Sequence, residues 1–154
     1  MFRSSIYYLT IILLLFGCTD SLANDENSSS TTGGSNLNFI SIDFGSYTNN
    51  SADIIINTSE DISGFQFTIV GSTITEHYGG LSDQFGFSVS SNVDTGIILG
   101  YSLSGNIIPS GSNDVLITVT FENVTSDICL DNVVLSDPNA NALDINFIGN
   151  CIEY

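Results

Sequence analysis

The stretch Gly64-Phe65-Gln66-Phe67-Thr68-Ile69-Val70 decides the fold class. In an extended chain successive side chains point to opposite faces, so Phe65, Phe67 and Ile69 share one face and Gln66 and Thr68 the other. One face then belongs to a core and the other to water, the mark of an antiparallel sheet covered on one side. The same alternation recurs downstream. Ile97, Leu99 and Tyr101 repeat it, as do Val115, Ile117, Val119 and Phe121.

Outward from these runs, short β-rich segments are punctuated by Gly, Asn, Asp and Ser, and no convincing helical periodicity interrupts them. The predicted strands are Leu37–Phe44, Ala52–Asn57, Gly64–Val70, Phe85–Ser90, Ile97–Ser102, Asp114–Phe121, Ile128–Ser136 and Leu143–Ile148. About eight strands in roughly 120 residues predict an all-β domain, an antiparallel jelly-roll or immunoglobulin-like sandwich of eight to nine strands. That length suits a single core. No internal repeat is visible.

The last two predicted strands can be registered from their side chains. With Asp137–Leu143 as the connection, Pro138 and the Asn residues supply turn chemistry. Pairing residues whose numbers add to 280 sets Leu135 against Ile145 and Val133 against Phe147, all apolar on one face. The same register sets Cys129 opposite Cys151, and directly opposed residues lie within disulfide reach. A Cys129–Cys151 disulfide is therefore expected, worth roughly 3 kcal/mol through the unfolded chain. No CxxC motif suggests a redox role.

The N-terminus reads as an export signal. Met1–Cys18, MFRSSIYYLTIILLLFGC, has one Arg and then an apolar run from Ile6 to Phe16, too short to cross a bilayer as a stable helix. Leu15, Gly17 and Cys18 fit the lipobox at which bacterial lipoproteins are cut and acylated, with Cys18 as the lipidated residue. Ordinary cleavage after Ala23 is the other reading. Residues 19–35 follow as a Ser/Thr/Gly-rich acidic linker, and 36–154 form the folded domain.

Charge narrows the partners. The chain carries 17 Asp and Glu against a single basic residue, Arg3, for a formal net charge of −16. All 17 acids lie beyond Cys18. Such a surface repels phosphate backbones and anionic lipid headgroups, so nucleic acid is excluded and the membrane is reached only through a lipid anchor.

Catalytic chemistry is sparse. His77, in Thr75-Glu76-His77-Tyr78-Gly79-Gly80, is the one histidine, and a lone His in a polar loop is ordinarily just exposed. No GxSxG or SxxK motif is present, and no carboxylate spacing singles out a glycosidase pair. Asp137, Asn139, Asn141 and Asp144 place oxygen side chains at intervals that suit calcium, but Ala142 and Ile148 stand where an EF-hand requires Gly and Glu. A turn is the simpler account, and no cofactor is expected beyond that weak calcium candidate. Tyr47, Tyr78 and Tyr101 could stack on sugars, each ring having an apolar body and a polar tip; packing at the core or its rim is the simpler role.

Three segments, taken in order, carry a family resemblance. Ala52–Ile69, ADIIINTSEDISGFQFTI, resembles the opening of cohesin domains. Ile108–Phe121, IPSGSNDVLITVTF, is similar to the later cohesin segment in which a Gly-containing turn leads into a strand. Leu130–Leu143, LDNVVLSDPNANAL, is similar to the family's closing hairpin. The order holds over Leu37–Gly149. The resemblance implies a nine-stranded jelly roll that does no chemistry and binds a protein partner, dockerin-like, through one sheet face. The cysteine pair and the lack of basic residues depart from typical cohesins, and no dockerin-contact residue is carried over. The expected function is a binding or scaffold module at the cell surface; polysaccharide binding and an enzyme of unrecognised type are the alternatives.

Overall fold

The alternation in the sequence closes into two facing sheets. A computed structural model describes residues 38–154; the expected export signal, Cys18 and the expected linker at 19–35 lie outside the described residues. Nine strands and one short helix follow in order. They are β1 (Ile40–Tyr47), β2 (Ser51–Thr58), β3 (Gly64–Val70), β4 (Thr73–Tyr78), α1 (Gly80–Gln84), β5 (Ser88–Asn92), β6 (Ile97–Tyr101), β7 (Asn113–Glu122), β8 (Cys129–Ser136) and β9 (Phe147–Ile148). One sheet has the order β4-β7-β2-β1-β9 and the other β5-β6-β3-β8. All neighbouring pairs are antiparallel except β1 and β9.

The core lies between the layers. Ile40, Ile42, Ile54 and Ile56 of β1 and β2 meet Phe65, Phe67 and Ile69 of β3, all at most 2% exposed. Phe65 stacks near-parallel with both Phe67 and Phe87, ring centroids 6.0 Å apart in each case. In β7 the buried set is Leu116, Ile117, Val119 and Phe121, while Val115 is only half-buried. An irregularity in the pairing with β2, where Ile54 faces Ile117 but Ile55 faces Val115, shifts the phase by one residue.

Three expectations are corrected. First, Ile97, Leu99 and Tyr101 do not face the core; Ile98 and Gly100 do. Ile97–Leu99 is an unbroken apolar run without a phase of its own, and Gly100 sets it. A Cβ at Gly100 would overlap the Phe65 ring, so the glycine must lie under that ring and its neighbours must turn outward.

Second, His77 is not in a loop but in β4, opposite Val119 at the sheet edge. The predicted strand Phe85–Ser90 starts late, as α1 and a turn at Phe85 precede β5. Both segments are polar and bury little, Ile74 being the one buried residue of β4, so their periodicity is faint.

Third, the C-terminal hairpin does not form along its length. The predicted turn is present, with Ser136 bridged to Ala142. Yet β8 pairs with β3, and β9 crosses to pair parallel with β1, so Leu135–Ile145 and Val133–Phe147 are not partners. Backbone bonding to β1 holds β9 there. The Ile40 N–H donates to Asn146 Oδ1 at 2.7 Å, Asn146 N–H donates to the Ile40 carbonyl at 2.8 Å, and Gly149 N–H to that of Ile42 at 2.8 Å. Gly149 allows the approach, since a Cβ there would collide with Asp43. The chain then returns, and Ile128 pairs with Ile152 in the expected register. Beside that bridge Cys129 and Cys151 form the disulfide, with Cα atoms 4.3 Å apart.

Candidate binding face

The outer face of the β5-β6-β3-β8 sheet is assembled row by row from the strand registers. Ser90, Leu99, Gln66 and Val134 lie across it in one row. Ser88, Tyr101, Gly64 and Ser136 form the next, and Asn92, Ile97, Thr68 and Asp131 the third. The side chains that stand out are Leu99, Tyr101 and Val134, at 39%, 39% and 47% exposure, with Leu103 just past the end of β6 at 84%. Asp131, in a corner, is the one charge in this grid. Gly64 leaves a shallow recess of about 280 Å³ between Tyr101, Leu99 and Val134.

The opposite sheet differs sharply. Its strands carry Asp43, Asp53, Glu76, Asp114 and Glu122, and Asp53 accepts a hydrogen bond from the Thr118 hydroxyl at 2.7 Å. Five acids thus lie on the strands of that sheet, against Asp131 alone on the strands of the other. An apolar, nearly uncharged patch on so acidic a molecule has the composition of an interface centre, where charge is depleted and Tyr enriched.

The sequence candidates do not converge. Tyr47, Tyr78 and Tyr101 line three separate recesses, at the β1 end, beside α1 and on the four-stranded face. His77 borders the second of these with Ser82 and Asp83. The Ser82 hydroxyl is buried and donates to the Gly79 carbonyl at 3.0 Å.

Asp137 is bound up in its own turn. Its Oδ1 accepts the backbone N–H of Asn139 and of Asn141, each at 2.8 Å, and its Oδ2 accepts the Asn141 side-chain amide at 3.0 Å. The Asn141 side chain and backbone, then Asn139, hold the Asp137 carboxyl below its ordinary range. Among the described residues no three His, Cys, Asp or Glu side chains are grouped to hold a metal ion.

Leu99, Val134 and Leu103 escaped the sequence reading. Leu103 had a visible signal, a lone apolar residue in the polar turn Ser102-Leu103-Ser104-Gly105.

No family model matches the sequence, and no curated protein matches it. Solved structures do. A non-cellulosomal cohesin from the hyperthermophilic archaeon Archaeoglobus fulgidus superposes with a TM-score of 0.52 at 18% identity, over 75% of this chain and 90% of that one. The fold is that of a cohesin module. The sixth cohesin of scaffoldin B from Acetivibrio cellulolyticus, solved in complex with a mutant Cel5 dockerin, gives 0.51 at 13% identity, over 75% of this chain and 97% of the other. The cohesin-like architecture foreseen from Ala52–Ile69, Ile108–Phe121 and Leu130–Leu143 is thus present, while identities this low carry over no contact residue.

Proposed function

We propose that residues 38–154 form a non-catalytic protein-binding module, exported and held at the cell surface through Cys18. The partner, a dockerin-like protein in this reading, docks on the outer face of β5-β6-β3-β8. The observation that carries the reading is the exposed apolar patch of Leu99, Tyr101 and Val134 on a chain whose charges, Arg3 apart, are all acidic. Burying such side chains is favourable at about 25 cal/mol per Å², and aromatic anchors at an interface centre dominate binding. The disulfide supports export, since such bonds persist in oxidising compartments. The cohesin-like fold supports a partner of protein type, one such module having been solved with a dockerin bound.

The test is capture of a partner from the native cell extract by the mature protein, followed by a titration of the purified pair. Leu99→Asp and Tyr101→Ala should each weaken it at least tenfold, and Ser46→Asp, on the other sheet, should not. Unchanged affinity in both face variants would discard this face. Turnover of a glycan or peptide by the purified protein would discard the non-catalytic reading.

A further inference from the structure

One end of the sandwich carries a cavity that the protein-binding face does not use. Its floor is apolar: Phe121 and Ile128 from the core, Val124 and Ile152 half-buried beside them. Its walls are two tyrosines, Tyr47 and Tyr154, exposed by 60% and 81%. The volume is about 200 Å³. Drug-sized sites run from roughly 300 to 1,000 Å³, so this one takes a single ring and not a chain.

Both walls are held by ordered backbone. Tyr47 pairs with Ala52, and the turn after it is closed by Thr48 N–H donating to the Ser51 carbonyl at 2.8 Å. Tyr154 follows the Cys129–Cys151 disulfide and the Ile128–Ile152 bridge, and its N–H donates to Asp127 Oδ1 at 3.1 Å. With the backbone of both walls in place, binding has the two exposed tyrosine side chains left to order.

The rim selects the chemistry. Asn49 offers an amide and Glu153 a carboxylate, both suited to hydroxyl groups, while the Thr48 hydroxyl is engaged by Asn50 Oδ1 and the Ser51 hydroxyl. No Lys or Arg is available beyond Arg3, and His77 lines a different recess, so phosphate, sulfate and carboxylate ligands would meet repulsion with nothing at the cavity to offset it. A ring with apolar C–H faces and a hydroxylated edge matches both the tyrosines and the rim.

We propose that this cavity binds one neutral pyranose unit, a terminal sugar of an uncharged glycan, with Tyr154 and Tyr47 packing on its faces. This is a second activity, independent of the partner-binding face. The test is an NMR titration of the isotope-labelled mature protein with methyl glycosides, namely neutral hexoses, pentoses, 6-deoxy and N-acetyl sugars, with methyl glucuronoside as the anionic control. At least one neutral glycoside should shift the methyl signals of Val124, Ile128 and Ile152 with millimolar affinity, and the glucuronoside should not. Tyr154→Ala, at an exposed position that leaves folding intact, should weaken that binding at least tenfold, and Tyr78→Ala should leave it unchanged. No shift from any neutral glycoside at about 50 mM, a level far above the affinity useful to a surface protein, would overturn the proposal. So would shifts confined to Leu99 and Val134, or binding unaffected by Tyr154→Ala. N-acetyltyrosinamide shifting these signals where no sugar does would assign the cavity to a protein side chain and equally overturn it.

Discussion

Gly100 lies directly beneath the ring of Phe65, so close that any side chain there would occupy the same space as the ring. Phe65 in turn stacks on Phe67 and Phe87, and it cannot retreat without disturbing both. Gly100→Ala should destabilise the fold by about 1–3 kcal/mol, the usual cost of overpacking a filled core. Urea denaturation measures it; an unchanged midpoint would mean that the Phe65 ring has room to move.

Cys151→Ser should cost about 2–5 kcal/mol, as for native disulfides of small exported domains. The loss should begin at the C-terminal segment, where Phe147 and Ile148 are largely exposed and Ile152 is anchored through its bridge to Ile128. Hydrogen exchange should show faster opening of Ile152 than of Ile69. Non-reducing peptide mapping of the native protein should join Cys129 to Cys151, and two thiols freely reactive in the folded protein would contradict the pairing.

Stability should rise with salt. Apart from Asp20, Asp25 and Glu26, all the acids lie in the described residues, with no Lys or Arg beside them. Their mutual repulsion is cut as the Debye length falls from about 10 Å at 0.1 M to about 3 Å at 1 M. The midpoint of thermal unfolding should climb over that range of sodium chloride; a flat response would show that the carboxylates are already too far apart to interact.

Asp137 should make its turn sensitive to acid. The Asn141 and Asn139 donors lower its folded-state pKa below the ordinary 3.8, so ionised Asp137 favours the folded chain. That contribution is complete above the unfolded value and disappears as pH falls through the lower folded value. The wild type should therefore exceed Asp137→Ala in stability at pH 7, and the gap should narrow toward pH 3 and below. A gap that stays constant with pH would show that the turn does not depend on the charge. Asp137 is only partly buried and its charge is screened by water, so the difference should be small.

Strands whose alternation is continuous were legible in residues alone. Gln66 and Thr68 between Phe65, Phe67 and Ile69 leave one assignment of faces, and β3 follows it in direction, although Thr68 on the outer face is itself buried. Segments with little to bury were not legible. β4 hides only Ile74, so its polar sequence resembles a loop until β7 supplies an edge for it. The candidate face was hidden by the same ambiguity that hid the phase of β6: once Ile98 is taken for the outward residue, Leu99 and Tyr101 vanish into the core.

By itself the sequence determined the all-β class, the ordered cohesin-like segments, the acidity and the meeting of Cys129 with Cys151. The class and the acidity follow from side-chain period and composition, the cohesin-like segments from a family resemblance, and the cysteine pair from a register that holds only at Ile128–Ile152. Tertiary structure alone decided that Gly100 goes under Phe65 and so turns Leu99 and Tyr101 to water. It also decided that β9 leaves β8 for the edge of β1, and that Tyr47 and Tyr154 wall one cavity from opposite ends of the described chain. The reason is that a two-residue period states which side chains share a face, but not which face is covered. Only a second layer, brought there by residues far away in sequence, makes that choice.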